Sequence, residues 1–214
     1  MDIDKFVTRC PDLYHLTNPI NLTSILSDFT LKSTTILAAL FGVPDLEKYL
    51  RTRRTGHEQP VFSKDNLEFC PRDQDPLRDE WLQLEEGMTP DEYRYLLNSK
   101  VFFWTRETDL ERHYKRYKKL GQNPCILKVS TVELFNVNSI PPMFCYFNSG
   151  MTSHWTRGLP VRGRSSFALA VDYSKGPGSV TEVTFEGLCS LPDSLYLTAD
   201  INVPYTIINR RNLK

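Results

Sequence analysis

Two short stretches, far apart in the chain, carry residue types that chemistry on a polar ligand requires. Residues 13–17, Leu-Tyr-His-Leu-Thr, read as an apolar strand in which His15 and Thr17 project from one face, setting a ring nitrogen beside a hydroxyl. Directly after it Asn18 reads as a cap and Pro19 as the first residue of a helix whose buried stripe is Leu22, Ile25, Leu26 and Phe29. A strand that ends at a helix N-terminus makes a cradle for a polar ligand. Residues 179–185 alternate with period two, so Val180, Glu182 and Thr184 share one face and Thr181, Val183 and Phe185 the other. Acidic residues are uncommon in strands, and a partly buried carboxylate needs a partner or a chemical task. A lone histidine near a strand end is more often structural than functional, so the elements around these residues have to be read next.

After the opening strand the first third reads as helical. Residues 34–40 form a short apolar helix ended by Gly42, and Pro44-Asp45 restart a helix carrying Leu46, Tyr49 and Leu50. Arg51, Arg53 and Arg54 follow, either complementing the helix dipole or supplying a guanidinium that holds a phosphate or ribose. Residues 61–70 read as irregular or a short hairpin, with a turn at Pro71-Arg72-Asp73-Gln74. A helix is expected over 77–86, ended by Gly87, and another opens at Thr89-Pro90-Asp91-Glu92. Residues 101–104, Val-Phe-Phe-Trp, read as a strand buried on both faces.

Thr108 to Glu111 reads as a capping box opening a helix over 109–120, with Leu110, Tyr114, Tyr117 and Leu120 as its stripe. Its opposite face, Arg112, Lys115, Arg116 and Lys119, suits a phosphate backbone, although a solvated surface explains it better. Shorter elements follow: strands over 125–130, 143–147 and 167–173, and a turn of helix over 132–135. Between them, residues 148–164 form a long irregular stretch with Asn148, Ser149, Arg157, Arg162 and Arg164, the expected docking place for a second substrate.

Composition narrows the field. The chain has 214 residues with 26 acidic and 26 basic side chains, so no global field advertises nucleic acid or a membrane as partner. Its opening residues carry acid where a signal peptide carries basic charge, and no apolar run is long enough to cross a bilayer, so a cytoplasmic protein without membrane partners is expected. Five scattered cysteines fit reduced thiols, and neither they nor the four histidines show metal-ligand spacing, so no metal is expected.

The run His15-Leu16-Thr17 with Asn21-Leu22 and Ile25-Leu26, the aromatic strand, and Glu182 in a late strand before Leu191-Pro192 together resemble the DarT-type ADP-ribosyltransferases, and more closely an uncharacterised bacterial family related to them. The resemblance spans residues 13 to about 195 and implies a single domain over 1–214 of α+β class. Its fold would be an ADP-ribosyltransferase-like split, mostly antiparallel sheet with helices inserted after the first strand. It further implies NAD as co-substrate and transfer of ADP-ribose to a macromolecule, with nucleic acid (DNA or RNA) the favoured acceptor. A toxin or defence role, with an inhibitory antitoxin as partner, belongs to the same implication.

In that reading His15, Leu16 and Thr17 orient the cofactor and Phe102 or Trp104 lines the nicotinamide pocket. Arg54, with Arg53 as its rival, engages phosphate or ribose, and Glu182 is the catalytic carboxylate that stabilises the cationic sugar and helps deprotonate the acceptor. Arg72 or Gln74 would shape the pocket. Two other classes compete: a nucleotide- or partner-binding protein of the same fold without chemistry, and a nucleic-acid-binding module centred on the basic helix.

Overall fold

A computed structural model describes residues 1–56, 59–152 and 160–213. Asp2 caps α1 (Ile3–Arg9), whose Phe6 is fully buried. The chain then enters β1 (Asp12–Thr17), and Asn18 caps a 3₁₀ turn, Pro19–Asn21, that runs into α2 (Leu22–Asp28). Phe29 ends that helix in the left-handed conformation (φ 55°) and leads to β2 (Thr30–Lys32). Next come α3 (Thr34–Leu40), capped by Ser33, and α4 (Leu46–Arg51). β3 (Phe62–Lys64) and β4 (Leu67–Phe69) form a hairpin whose turn residues, Asp65 and Asn66, both have positive φ.

The second half supplies α5 (Pro90–Asn98), with the Thr89–Glu92 capping box, β5 (Lys100–Trp104), α6 (Glu107–Lys119), β6 (Cys125–Ser130) and α7 (Thr131–Val137). After these come β7 (Met143–Cys145), β8 (Ala168–Leu169), β9 (Glu182–Glu186), β10 (Leu188–Ser190), β11 (Ser194–Thr198) and β12 (Thr206–Asn209).

Three expectations change. Residues 77–86 hold only a 3₁₀ turn, Asp79–Trp81, because Leu82 and Leu84 reach the core from an extended chain tied to Arg162 by Arg162 N–H to Gln83 O (2.7 Å) and Glu85 N–H to Arg162 O (3.0 Å). α6 starts at Glu107, not behind a Thr108 cap; the Glu107 carboxylate accepts the Tyr14 hydroxyl at 2.8 Å and so joins the helix start to β1. The strand expected over 167–173 shrinks to Ala168–Leu169, since the N–H groups of Asp172 and Tyr173 both turn back to Leu169 O.

The architecture is mixed α and β around one eight-stranded sheet, ordered β12-β11-β6-β1-β5-β9-β7-β8, with every neighbouring pair antiparallel. One face buries Leu13, Phe103, Leu127, Val183 and Phe185 against α1, α2 and α7. The other places Tyr14, Leu16, Trp104 and Ile126 under Leu110, Tyr114 and Tyr117 of α6, while Leu77, Tyr93, Leu97 and Cys145 pack beside them around α5. Full burial of such side chains stabilises by roughly 1.5–3 kcal/mol each. The sheet has one thin seam. β1 pairs with β6 over six residues and β5 with β9 over five, but β1 and β5 share only Tyr14↔Trp104. No described helix is long and apolar enough to cross a membrane.

Candidate functional site

Beyond the Tyr14↔Trp104 pair, on the side of Thr17 and Phe102, β1 and β5 stop exchanging backbone hydrogen bonds. His15 fills part of the gap, its Nδ1 lying 2.8 Å from Phe102 O. A carbonyl only accepts, so Nδ1 carries the proton and Nε2 is left as an acceptor. Burial pushes the His15 pKa down to about 4, with Arg72 assisting and the Phe102 carbonyl opposing, so the imidazole is neutral at pH 7. Thr17, nearly fully buried, accepts from Asn21 Nδ2 at 3.1 Å, and Asn21 also grips Cys70 through its N–H and its carbonyl.

The seam opens into a cavity of about 250 Å³. Antiparallel register sets Trp104, Glu182, Phe102 and Thr184 on one face and His15, Thr17 and Phe103 on the other. Residues from both faces line this single cavity, which requires a place where the sheet is parted.

Glu182 stands on β9 between Trp104 of β5 and Cys145 of β7, only 2 % exposed. Its Oε2 accepts the Ser149 N–H at 3.2 Å, and the Ser149 carbonyl in turn accepts the buried Tyr93 hydroxyl at 2.9 Å, so α5 holds the residue whose N–H faces the carboxylate. Burial pushes the Glu182 pKa up to about 7, with Ser149 and the Arg162 guanidinium pulling the other way. A carboxyl group titrating near neutrality inside a cavity wall is suited to general base work and to stabilising positive charge.

Three arginines from separate stretches of the chain contribute to the cationic part of the wall. Arg54 donates from Nε to Arg72 O (3.1 Å) and from Nη2 to Asn98 Oδ1 (2.9 Å), and Asn98, at the end of α5, is itself held by Leu50 O. Burial lowers the Arg54 pKa, with Tyr49 and Asp73 opposing. Arg72 lies over the Tyr117 ring at 4.2 Å, and Arg116 of α6 donates to Asp73 Oδ1 at 3.2 Å. Among the described residues Arg54 Nη1, Arg72 Nη2 and Asp73 Oδ2 are buried without a hydrogen-bond partner, and all three residues line the cavity. Buried polar atoms are normally satisfied, so this concentration leaves the wall with two donors and an acceptor that a polar group in the cavity would meet.

The structure brings His15, Leu16, Thr17, Arg54, Phe102, Trp104, Asn148, Ser149 and Glu182 to the same cavity. Arg53 turns away, donating to Asp75 O at 2.6 Å. Arg162 lies buried behind the wall, over the Phe147 ring at 4.6 Å and donating to Met151 O. Arg164 faces a separate groove beside Glu85. Arg157 lies outside the described residues. Trp104, expected with Phe102 to line a nicotinamide pocket, already stacks on His113 with centroids 4.3 Å apart, and His113 Nε2 accepts from Asn148 Nδ2 at 2.9 Å.

The sequence does not mark His113 or Asp73 as site residues, and it offers Arg116 only as part of the basic outer face of α6. His113 had a signal: Leu110, His113, Tyr114 and Tyr117 follow the i, i+3, i+4, i+7 spacing of one helix face. Burial pushes its pKa down to about 4, assisted by Arg72 and Arg116. Among the described residues no group of three or more His, Cys, Asp or Glu is placed to hold a metal ion.

No curated protein and no solved structure matches the chain. A family model described as a family of unknown function, DUF7002, matches residues 11–194, a span that contains every cavity-lining residue from His15 to Glu182, and the chain belongs to that family.

Proposed function

We propose that the protein is an NAD-dependent ADP-ribosyltransferase with a macromolecular acceptor, nucleic acid being the favoured class. The observation that carries this reading is one cavity lined by both a buried carboxylate, Glu182, and unpaired guanidinium groups, Arg54 and Arg72. A dinucleotide has the complementary pattern, with a diphosphate for the cations and a ribose whose C1′ becomes positive as nicotinamide departs. Neutral His15 orients the nicotinamide end beside Phe102, and Arg54 holds phosphate or ribose. Ionised Glu182, aimed by the Ser149 N–H, stabilises the cationic sugar as the C1′–N bond breaks and its electron pair leaves with nicotinamide. The acceptor then bonds to C1′, and Glu182 takes up the proton that the acceptor loses.

Support for nucleic acid as acceptor does not come from α6 as a whole. Arg112 pairs with Asp109, Lys115 with Glu111 and Arg116 with Asp73, so most of that basic face is already neutralised by neighbouring acids. The deciding experiment incubates the protein with NAD labelled in the adenylate and with separate pools of DNA, RNA and protein. Label should enter one pool with equivalent release of nicotinamide. Binding of NAD without nicotinamide release would leave a nucleotide-binding protein and overturn the transferase.

A further inference from the structure

The cations on the cavity wall are not equivalent. Lys32 pairs with Asp28, Lys100 with Glu186, and Arg116 with Asp73, whereas Arg54 and Arg72 form no ion pair with any described residue. These two sit together, since Arg54 Nε donates to the Arg72 carbonyl at 3.1 Å. Each has a buried terminal nitrogen without an acceptor among the described residues, Arg54 Nη1 and Arg72 Nη2. A buried guanidinium nitrogen without an acceptor is unfavourable, and an anionic ligand with oxygens in that corner would satisfy both nitrogens.

The next residue in the chain adds an opposite demand. Asp73 has a side chain with no solvent exposure; its Oδ1 accepts the Asp75 N–H (3.1 Å) and Arg116 Nη2 (3.2 Å), and its Oδ2 accepts from no described residue. A carboxylate oxygen needs a donor, which a phosphate group ionised at neutral pH does not offer and a sugar hydroxyl does. The corner therefore asks for one ligand that presents two negative charges and, beside them, a hydroxyl.

We propose that Arg54, Arg72 and Asp73 form a subsite for the diphosphate and adjoining ribose of a nucleoside diphosphate-type ligand, with the guanidinium groups on diphosphate oxygens and Asp73 Oδ2 on a ribose hydroxyl. This rests on the proposed function in taking a dinucleotide as the natural occupant, but it requires no bond to break.

Calorimetric titration of the full chain with ADP-ribose, ADP, inorganic pyrophosphate and a 5′-phosphorylated oligonucleotide tests the assignment. Arg72→Gln should weaken ADP-ribose, ADP and pyrophosphate alike, by about ten- to hundredfold for the loss of a charged donor. Asp73→Asn should weaken ADP-ribose and ADP to a similar degree, yet leave pyrophosphate unchanged or tighter, because pyrophosphate has no ribose and loses a repulsive neighbour. Arg72→Lys, which keeps charge but not the planar fork, serves if the glutamine variant melts early. ADP-ribose affinity unmoved in variants that melt as wild type, pyrophosphate weakened by Asp73→Asn as much as ADP-ribose, or an oligonucleotide binding more tightly than ADP-ribose would each overturn it. Variant-sensitive ADP-ribose binding in a protein that never releases nicotinamide would keep the subsite and remove the transferase. Nicotinamide release with wild-type kcat and KM in both variants would do the reverse.

Discussion

The Ser149 N–H donates to Glu182 Oε2 at 3.2 Å from a loop that Tyr93 of α5 holds through the Ser149 carbonyl, so a carboxylate on the sheet is oriented by a helix more than eighty residues earlier in the chain. The contact leaves Glu182 able to ionise near neutral pH while nearly inaccessible to solvent.

Turnover should depend on that ionised form. With a folded-state pKa of about 7, kcat for nicotinamide release should rise with pH through that region and level off above it. Glu182→Gln should bind NAD within a few fold of wild type and transfer ADP-ribose roughly a hundredfold more slowly or worse. Glu186, at the far end of β9 and paired with Lys100, should tolerate the same change. Unaltered kcat in Glu182→Gln would remove the residue from the chemistry.

The same carboxyl group should make the site a source of instability at high pH. Its pKa is raised from 4.5 to about 7 by folding, so the folded state binds more protons in that window, and stability falls as pH rises through it. Glu182→Gln should therefore melt higher than wild type at pH 8, by on the order of 3 kcal/mol at most, with the difference vanishing below pH 4.5. His15 and His113 act with the opposite sign. Their folded pKa values of about 4 lie below the usual 6.5, so their contribution is complete above that value and is lost as pH falls toward 4. Thermal melts of the variant and wild type across pH 4 to 8 separate the two effects, and a glutamine variant less stable at pH 8 would make Glu182 a structural partner instead.

Ligand-linked stabilisation tests the seam. NAD at a hundredfold excess over its dissociation constant should stabilise the fold by about 2.7 kcal/mol. His15→Ala, which removes the imidazole that spans from β1 to Phe102 O, should lose most of this response. An equal thermal shift in the variant would take His15 out of the binding site.

The outer face of α6 should matter little. Arg112 and Lys115 are exposed and paired within the helix, contacts worth about 0.2–1 kcal/mol. Replacing both with glutamine should shift stability by less than that and leave the salt dependence of acceptor binding as it was. A flatter salt slope would show that these side chains neutralise acceptor phosphates.

Local physics made much of this protein legible in its sequence. Apolar runs marked β1 and β6, a β-branched and aromatic run marked β5, the Thr89–Glu92 box and Pro90 marked α5, and a carboxylate in an alternating strand singles out Glu182 without reference to any neighbour. Each of these signals is written within a few residues. What tertiary structure alone decided is which elements meet. No local pattern says that β1 and β5 pair at one residue and then part, that Asp73 in a turn is buried under Arg116 of a distant helix, or that Arg54 rather than Arg53 faces the cavity. The helix expected over 77–86 failed for the same reason: its apolar spacing was real, but backbone contacts with Arg162, some eighty residues away, gave those N–H and C=O groups other partners. A site assembled across a parted sheet is set by long-range register, and register is a property of the folded chain.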